Sequence, residues 1–207
     1  MITKFYHLLR PLAALGLCLM AAACNQYSAF PDPTLSARDV QLLALAPKSV
    51  NRDLDPSRAR YRMPNTTGEK APGTIVVDND ARFLYFIEDA GTVLRYEISP
   101  GMEAHQWSGT AVIGRKVEWP SWTPGNTARQ MVPSLPGVVQ GGPNNPLGAR
   151  GIYLYDEKGR DTEYRIHGTN EPEMIGMPVS LGCIRMHNID AIDLYNRVKV
   201  GAKVVVR

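Results

Sequence analysis

Cys183 and His167 are the residues whose types could together carry out nucleophilic acyl transfer. Cys183 lies in Ser180-Leu181-Gly182-Cys183-Ile184-Arg185-Met186-His187-Asn188, and His167 in Ile166-His167-Gly168-Thr169-Asn170. A thiol with an ordinary pKa near 8.5 is mostly protonated at neutral pH, so a neighbouring base must take its proton before it attacks a carbonyl. An imidazole can do this and later return the proton to a leaving amine. The backbone amides of Gly182 and Ile184 flank the sulfur and are candidate donors to a developing oxyanion. The carbonyl of Gly168 is the candidate group to orient the imidazole. A buried, inert Cys183 and a core His167 would be the competing structural reading of the same two residues.

The start of the chain bears on whether this thiol stays free. Lys4 and Arg10 precede an apolar run from Pro11 to Ala23, which reads as a secretory signal over residues 1–24. The run is shorter than the roughly 20 residues a spanning helix needs. Ala21-Ala22-Ala23 before Cys24 permits two readings. An ordinary signal peptidase could cut ahead of Cys24, or the segment could act as a lipobox, which it resembles, with Cys24 lipidated as the first mature residue. Cys18 lies inside the leader. Cys183 is therefore expected to have no disulfide partner within the fold, although the exported compartment is oxidising.

The chain has 207 residues, 44% apolar and 21% charged, with a formal charge of +3. That is enough for one domain of ordinary size with extra segments. Setting aside Lys4 and Arg10 leaves a mature chain close to neutral, with no basic stripe, which argues against nucleic acid as a partner. Cys183, His167, His187 and His105 lack the close spacing of a metal motif, and no cofactor is expected. His105 is expected to be exposed in a polar turn.

Residues 25–72 show little periodicity and read as a linker or N-terminal extension. As a coil they would span roughly 35–40 Å, with one apolar cluster, Leu42–Ala46, able to form a short helix. Strands are expected over Thr74–Asp78, over Arg82–Glu88 (apolar on both faces) and over Thr92–Ser99 (half exposed), forming an antiparallel meander. Residues 114–148 read as a long irregular section rich in Pro, Gly and Trp, the kind of loop that is often functional. Further strands are expected at Gly151–Tyr155, Tyr164–His167 and Ala202–Arg207. Asn188 reads as the N-cap of one helix ending near Lys199. The fold class is mostly β with one helix in the C-terminal region.

His-Gly-Thr-Asn, followed by Ser-x-Gly-Cys-Ile-Arg-Met-x-Asn, resembles the signature of the L,D-transpeptidase (YkuD-type) family. The resemblance covers roughly residues 73–207. Gly73-Thr-Ile-Val-Val-Asp78, Asn145-Pro-Leu-Gly148, Tyr164-Arg-Ile-His167 and Asp193-Leu-Tyr195 are similar to its ErfK/YbiS-like branch. It implies a YkuD-like β-sandwich catalytic domain in a periplasmic, cell-wall setting. It also implies Cys183 as nucleophile, His167 as proton donor and acceptor, and Gly168 as the third partner. Arg185 would bind a stem-peptide carboxylate or pin the loop. Ser180 and Asn188 also match the signature, as substrate-binding or loop-organising residues. Leu181 stands where the family often has a polar residue. Trp122, in Trp119–Pro124, could face substrate from a lid or pack beneath a loop.

The implied activity is 3→3 cross-linking of peptidoglycan stem peptides through a Cys thioester, with envelope proteins as other acyl acceptors. Any membrane contact would come through a lipid on Cys24. The alternatives are an L,D-carboxypeptidase or amidase acting on the same bonds, and a non-catalytic wall-binding lipoprotein.

Overall fold

The β-branched and aromatic runs after Gly73, joined at one edge by two short strands from before it, build one continuous hydrogen-bonded sheet. In chain order the strands are β1 (Ser28–Ala29), β2 (Tyr61–Pro64), β3 (Ile75–Asp78), β4 (Phe83–Ile87), β5 (Thr92–Glu97), β6 (Gly109–Glu118), β7 (Arg150–Tyr155), β8 (Asp161–His167), β9 (Ile184–Arg185) and β10 (Lys203–Val206). Among the described residues three α-helices accompany them: α1 (Ala37–Leu45), α2 (Asn126–Met131) and α3 (Asn188–Arg197). The computed structural model describes residues 28–29, 31–48 and 59–207. The leader, Cys24 and its lipidation lie outside the described residues.

The spatial strand order is β1-β2-β5-β4-β3-β10-β6-β7-β8-β9. The meander β3-β4-β5 is antiparallel. The C-terminal β10 inserts beside it, parallel to β3 and antiparallel to β6, and so joins the two halves of the sheet. After β5 the chain pairs with β9: Ser99 and Arg185 exchange two backbone hydrogen bonds of 2.9 Å each. The sheet thereby curls until its far edge meets the end of the meander. The expected sandwich is a single folded-over sheet enclosing one core. Leu94, Tyr96, Ile152, Leu154, Ile166, Ile184, Met186 and Leu194 of α3 share that core. At about 1.5–3 kcal/mol for each fully buried large aliphatic or aromatic side chain, this cluster is the main source of stability.

Several expectations need correction. The coil reading of residues 25–72 fails for their described part. Ser36-x-x-Asp39 is a capping box: Asp39 N–H donates to Ser36 Oγ at 3.1 Å, and Ser36 N–H reaches back to Asp39 Oδ2. It starts α1 before the expected Leu42. β2 pairs with β5, and Met63 packs on Val76, Ile87 and Val93. The face of β5 expected to be half open therefore has Val93 fully buried.

β6 was not anticipated; its alternation is interrupted at Gly114, where the ladder to β7 shifts register between Ile113 and Arg115. The irregular section thus begins at Trp119 and contains α2. The last helix ends at Arg197, and its N-cap is His187. Asn188 is occupied elsewhere, as described below. Among the described residues no helix is long and apolar enough to cross a membrane.

Candidate active site

The pairing of β8 with β9 decides where the two reactive residues lie. The strands are parallel, with Ile166 opposite Ile184 and His167 opposite Arg185. Ile166 and Ile184 both point into the core. Successive side chains alternate across a strand, so Arg165, His167, Cys183 and Arg185 occupy the opposite, outer face. Cys183 and His167 are diagonal neighbours there. The fold thus brings together two residues separated by a loop in sequence.

His167 is buried, and its Nδ1 lies 2.6 Å from the carbonyl oxygen of Gly168. A carbonyl can only accept, so Nδ1 carries the hydrogen and Nε2 presents a lone pair. Burial, and then the nearby Arg185 guanidinium, push the His167 pKa down to about 3. The imidazole is therefore neutral across the physiological range, with its Nε2 lone pair unprotonated.

Cys183 is a half-buried free thiol. Its Sγ–H donates to the carbonyl of Glu163 at 3.8 Å. Glu163 sits in the left-handed region with φ 63, at an irregular stretch of the β7–β8 ladder. Burial pushes the thiol pKa above its ordinary value, against the pull of the Arg165 amide and the Arg165 and Arg185 charges. At rest the pair is a neutral thiol beside a neutral imidazole, and not a thiolate–imidazolium pair. Alkylation of Cys183 by iodoacetamide should accordingly rise about tenfold per pH unit between pH 6 and 8, as the thiolate fraction grows. A flat rate across that interval would mean a preformed ion pair.

Two supports hold the segments in place. Asn188 Oδ1 accepts from the amides of Ala149 (2.9 Å) and Thr169 (3.0 Å), and its Nδ2 donates to the Thr169 carbonyl at 2.8 Å. It ties the start of β7 to the turn that carries Gly168. A Cβ on Gly168 would stand 2.1 Å from Asn188 Oδ1, and only glycine fits there. Asn188→Ala would strand two buried N–H groups and a carbonyl, an expected loss of about 2–4 kcal/mol by urea unfolding.

The second support lies beneath the loop that carries Cys183. Met102 N–H donates to the Ser180 carbonyl at 2.9 Å, and a Cβ on Gly101 would meet Gly182 Cα at 2.8 Å. Gly182 itself has φ 116 and lies against Tyr164, whose ring stacks on Trp107 at 5.3 Å. Ser180 Oγ accepts from the Gly182 amide at 3.2 Å and donates to the Cys183 carbonyl.

A family model described as the L,D-transpeptidase catalytic domain, YkuD, matches residues 72–206. The chain belongs to this family. Two Escherichia coli K12 relatives are similar to it: Probable L,D-transpeptidase ErfK/SrfK, 39% identical over 140 residues, and Probable L,D-transpeptidase YbiS, 34% identical over 150 residues. The matches cover 64% and 69% of this chain but only 43% and 45% of those proteins. The chain thus spans less than half the length of the curated relatives it matches.

Among solved structures, a Brucella melitensis protein described as a probable carnitine operon oxidoreductase is 41% identical. That match has a TM-score of 0.50 and covers 77% of this chain and all of that one. A mutant L,D-transpeptidase of Enterococcus faecium is 16% identical, with a TM-score of 0.50 over 67% of this chain and 50% of its own. It shares the fold.

Against the YkuD signature, the structure divides the expected residues into two groups. Cys183, His167, Gly168 and Arg185 converge, with Arg185 ion-paired to Glu171 at 2.9 Å on the same face as His167. Ser180 and Asn188 do not present groups to a substrate. Both are buried and occupied by backbone partners, so they organise loops. The amide of Gly182 is committed to Ser180 Oγ, and Ile184 lies in the β8–β9 ladder. An oxyanion role for Gly182 requires its amide to leave that hydroxyl.

Trp122 is half-buried at the neck of a separate loop, exchanging two 2.8 Å backbone bonds with Val139. His105 is partly covered in a short 3₁₀ turn (Glu103–His105), with its carbonyl against Gly182. His187 is buried, with Nε2 3.8 Å from Glu97.

The sequence reading missed the N-terminal anchor. Asp39 accepts two bonds from the Arg150 guanidinium (2.9 and 2.8 Å) and one from the Trp119 indole (2.9 Å). Arg60 donates to Asp190 at 2.8 Å, at the start of α3. The capping box at Ser36 and the Leu42–Ala46 cluster are local signals for α1, but nothing local marks Arg150 as the partner of Asp39 or Asp190 as that of Arg60.

Proposed function

We propose that this protein is a peptidoglycan L,D-transpeptidase acting through a Cys183 thioester. The reading is supported above all by the β8–β9 register, which pairs Ile184, next to Cys183, with Ile166, next to His167, and by the Gly168 carbonyl against His167 Nδ1. Membership in the YkuD family supports it.

In this mechanism the acyl donor, a tetrapeptide stem, displaces the thiol from the Glu163 carbonyl. His167 Nε2 takes the thiol proton as sulfur attacks the carbonyl of the third stem residue. A tetrahedral oxyanion forms and collapses, the C–N bond to the terminal D-Ala breaks, and His167 returns its proton to the departing amine. Gly168 O stabilises the transient imidazolium through Nδ1–H. The positive charge of the imidazolium is short-lived because burial and Arg185 oppose it, which favours prompt return of the proton.

An amine from a second stem then attacks the thioester, releasing Cys183 and forming the cross-link. The thioester keeps the acyl group activated, so no nucleotide is consumed. Envelope proteins are further acceptors in this scheme. Export by residues 1–24, a cell-envelope location and lipidation at Cys24 belong to the same proposal, with residues 73–207 as the catalytic unit.

The test is incubation with purified tetrapeptide muropeptides, with products resolved by mass. Cross-linked dimers lacking one D-Ala support transpeptidation. Tripeptide monomers alone would assign the protein to carboxypeptidation. No thiol-dependent product would leave only binding.

A further inference from the structure

We propose that Arg115, stacked with Arg165 against Tyr153, forms a carboxylate subsite for the substrate peptide on the outer face beside Cys183. This rests on the transpeptidase reading and names how that site would choose its substrate. Arg115 lies opposite Tyr153, and Tyr153 opposite Arg165. In the β8–β9 register Arg165 precedes Ile166 as Cys183 precedes Ile184. Arg115, Tyr153, Arg165 and Cys183 therefore form one row across four neighbouring chain segments.

The row lies on the same face as the thiol. Ile113, Ile152, Leu154, Ile166 and Ile184 all point into the core, and the register shift after Ile113 turns Arg115 outward with Tyr153. The Arg115 guanidinium carbon stands 3.9 Å and that of Arg165 4.4 Å from the centroid of the Tyr153 ring. A Cβ on Gly151 would lie 3.1 Å from that ring. Tyr153 thus leans over Gly151, the residue paired with His167.

The charge balance along this face singles out Arg115. Arg165 is neutralised by Asp161, whose carboxylate accepts two bonds from its guanidinium at 2.6 and 2.9 Å. Arg185 is paired with Glu171. Arg115 is exposed, and among the described residues its guanidinium has only the Tyr153 ring as partner. Stacking on a ring uses the guanidinium face and leaves the N–H edge free, a planar fork that matches a carboxylate. Three inter-strand spacings place the Arg115 backbone on the order of 14 Å from that of Cys183, about four extended peptide residues. The ligand class is a peptide bearing a free carboxylate some residues away from the bond attacked by the thiol.

The experiment measures binding of two synthetic tetrapeptide stems to the full chain carrying Cys183→Ala. One stem has its non-terminal carboxylates free, and the other has them converted to carboxamides. Arg115→Gln, added to this background, should raise the Kd of the acidic stem about tenfold and leave that of the amidated stem unchanged. Arg115→Lys should recover part of the loss, keeping the charge without the fork. Equal Kd values with and without Arg115→Gln, or an equal loss for both stems, would overturn the subsite and leave the transpeptidase reading intact. Binding of neither stem would overturn both. Iodoacetamide reactivity of Cys183 in the single Arg115→Gln variant should match wild type, showing that the nucleophile loop is undisturbed.

Discussion

Asp39→Ala is expected to destabilise the protein by about 3–5 kcal/mol, the usual cost of leaving one partner of a buried ion pair alone. Arg150 is only 3% exposed, and Asp39 is its anionic partner, reached through two hydrogen bonds. Burial alone would raise the Asp39 carboxyl, but bonds from Arg150, Ser36 and Trp119 outweigh it and hold the carboxyl well below the usual carboxylate range. Urea unfolding gives the magnitude, and Arg150→Ala should cost a comparable amount. The double variant should cost less than the two single losses added together, because neither charge is then left unpaired.

The sign of the pH dependence follows from the same groups. The folded-state pKa of Asp39 is depressed, so its contribution is full above the ordinary carboxylate pKa near 3.9 and is lost as pH falls. His167, also depressed, to about 3, contributes stability that fades from its ordinary pKa of 6.5 downward. Stability should therefore decline from about pH 6.5 toward pH 3, and Asp39→Ala should flatten the acid end of that curve.

His167→Gln is expected to slow thioester formation by about 10²–10⁴-fold, the usual range for a positioned general base. The glutamine amide can still donate to the Gly168 carbonyl that now holds Nδ1, so the turn tied by Asn188 should stay in place. What is lost is the lone pair on Nε2. Stem binding should be nearly unchanged, and thermal unfolding should separate a chemical defect from a folding one. The residual rate should rise with pH, because thiolate formed by solvent replaces proton transfer to the imidazole. A variant with wild-type acylation would remove His167 from the mechanism.

The parts of the fold legible in the sequence were those coded by local pattern. β3, β4 and β5 show as β-branched or aromatic runs between turn residues, and α3 shows by its acidic start. β6 escaped because Gly114 and the register shift break its alternation in mid-strand. α1 was legible only in its second half, where the Leu42–Ala46 cluster marks it and Leu42 and Leu43 pack on Trp119, Ala149 and Ile192; its start at Ala37 and the bonds from Asp39 to Arg150 and Trp119 depend on distant partners.

The site divides in the same way. His167 and Gly168 are neighbours in motif and in space, and the β8–β9 pairing brings Cys183 alongside their strand. Asn188 looked like a helix cap because its residue type suits one, but the amides of Ala149 and Thr169 claim its side chain. The row from Arg115 to Cys183 comes from sheet register, which depends on pairing between distant strands and leaves no mark in a linear pattern.

The central claim is that the Cys183 sulfur carries the acyl group. Intact-protein mass spectrometry after rapid acid quench of the full chain with a tetrapeptide stem tests it directly. A covalent adduct equal to the stem minus D-Ala, mapped by proteolysis to Cys183 and missing from Cys183→Ala, is the predicted result. Product formation by Cys183→Ala at the wild-type rate, or an adduct carried by another residue, would contradict it.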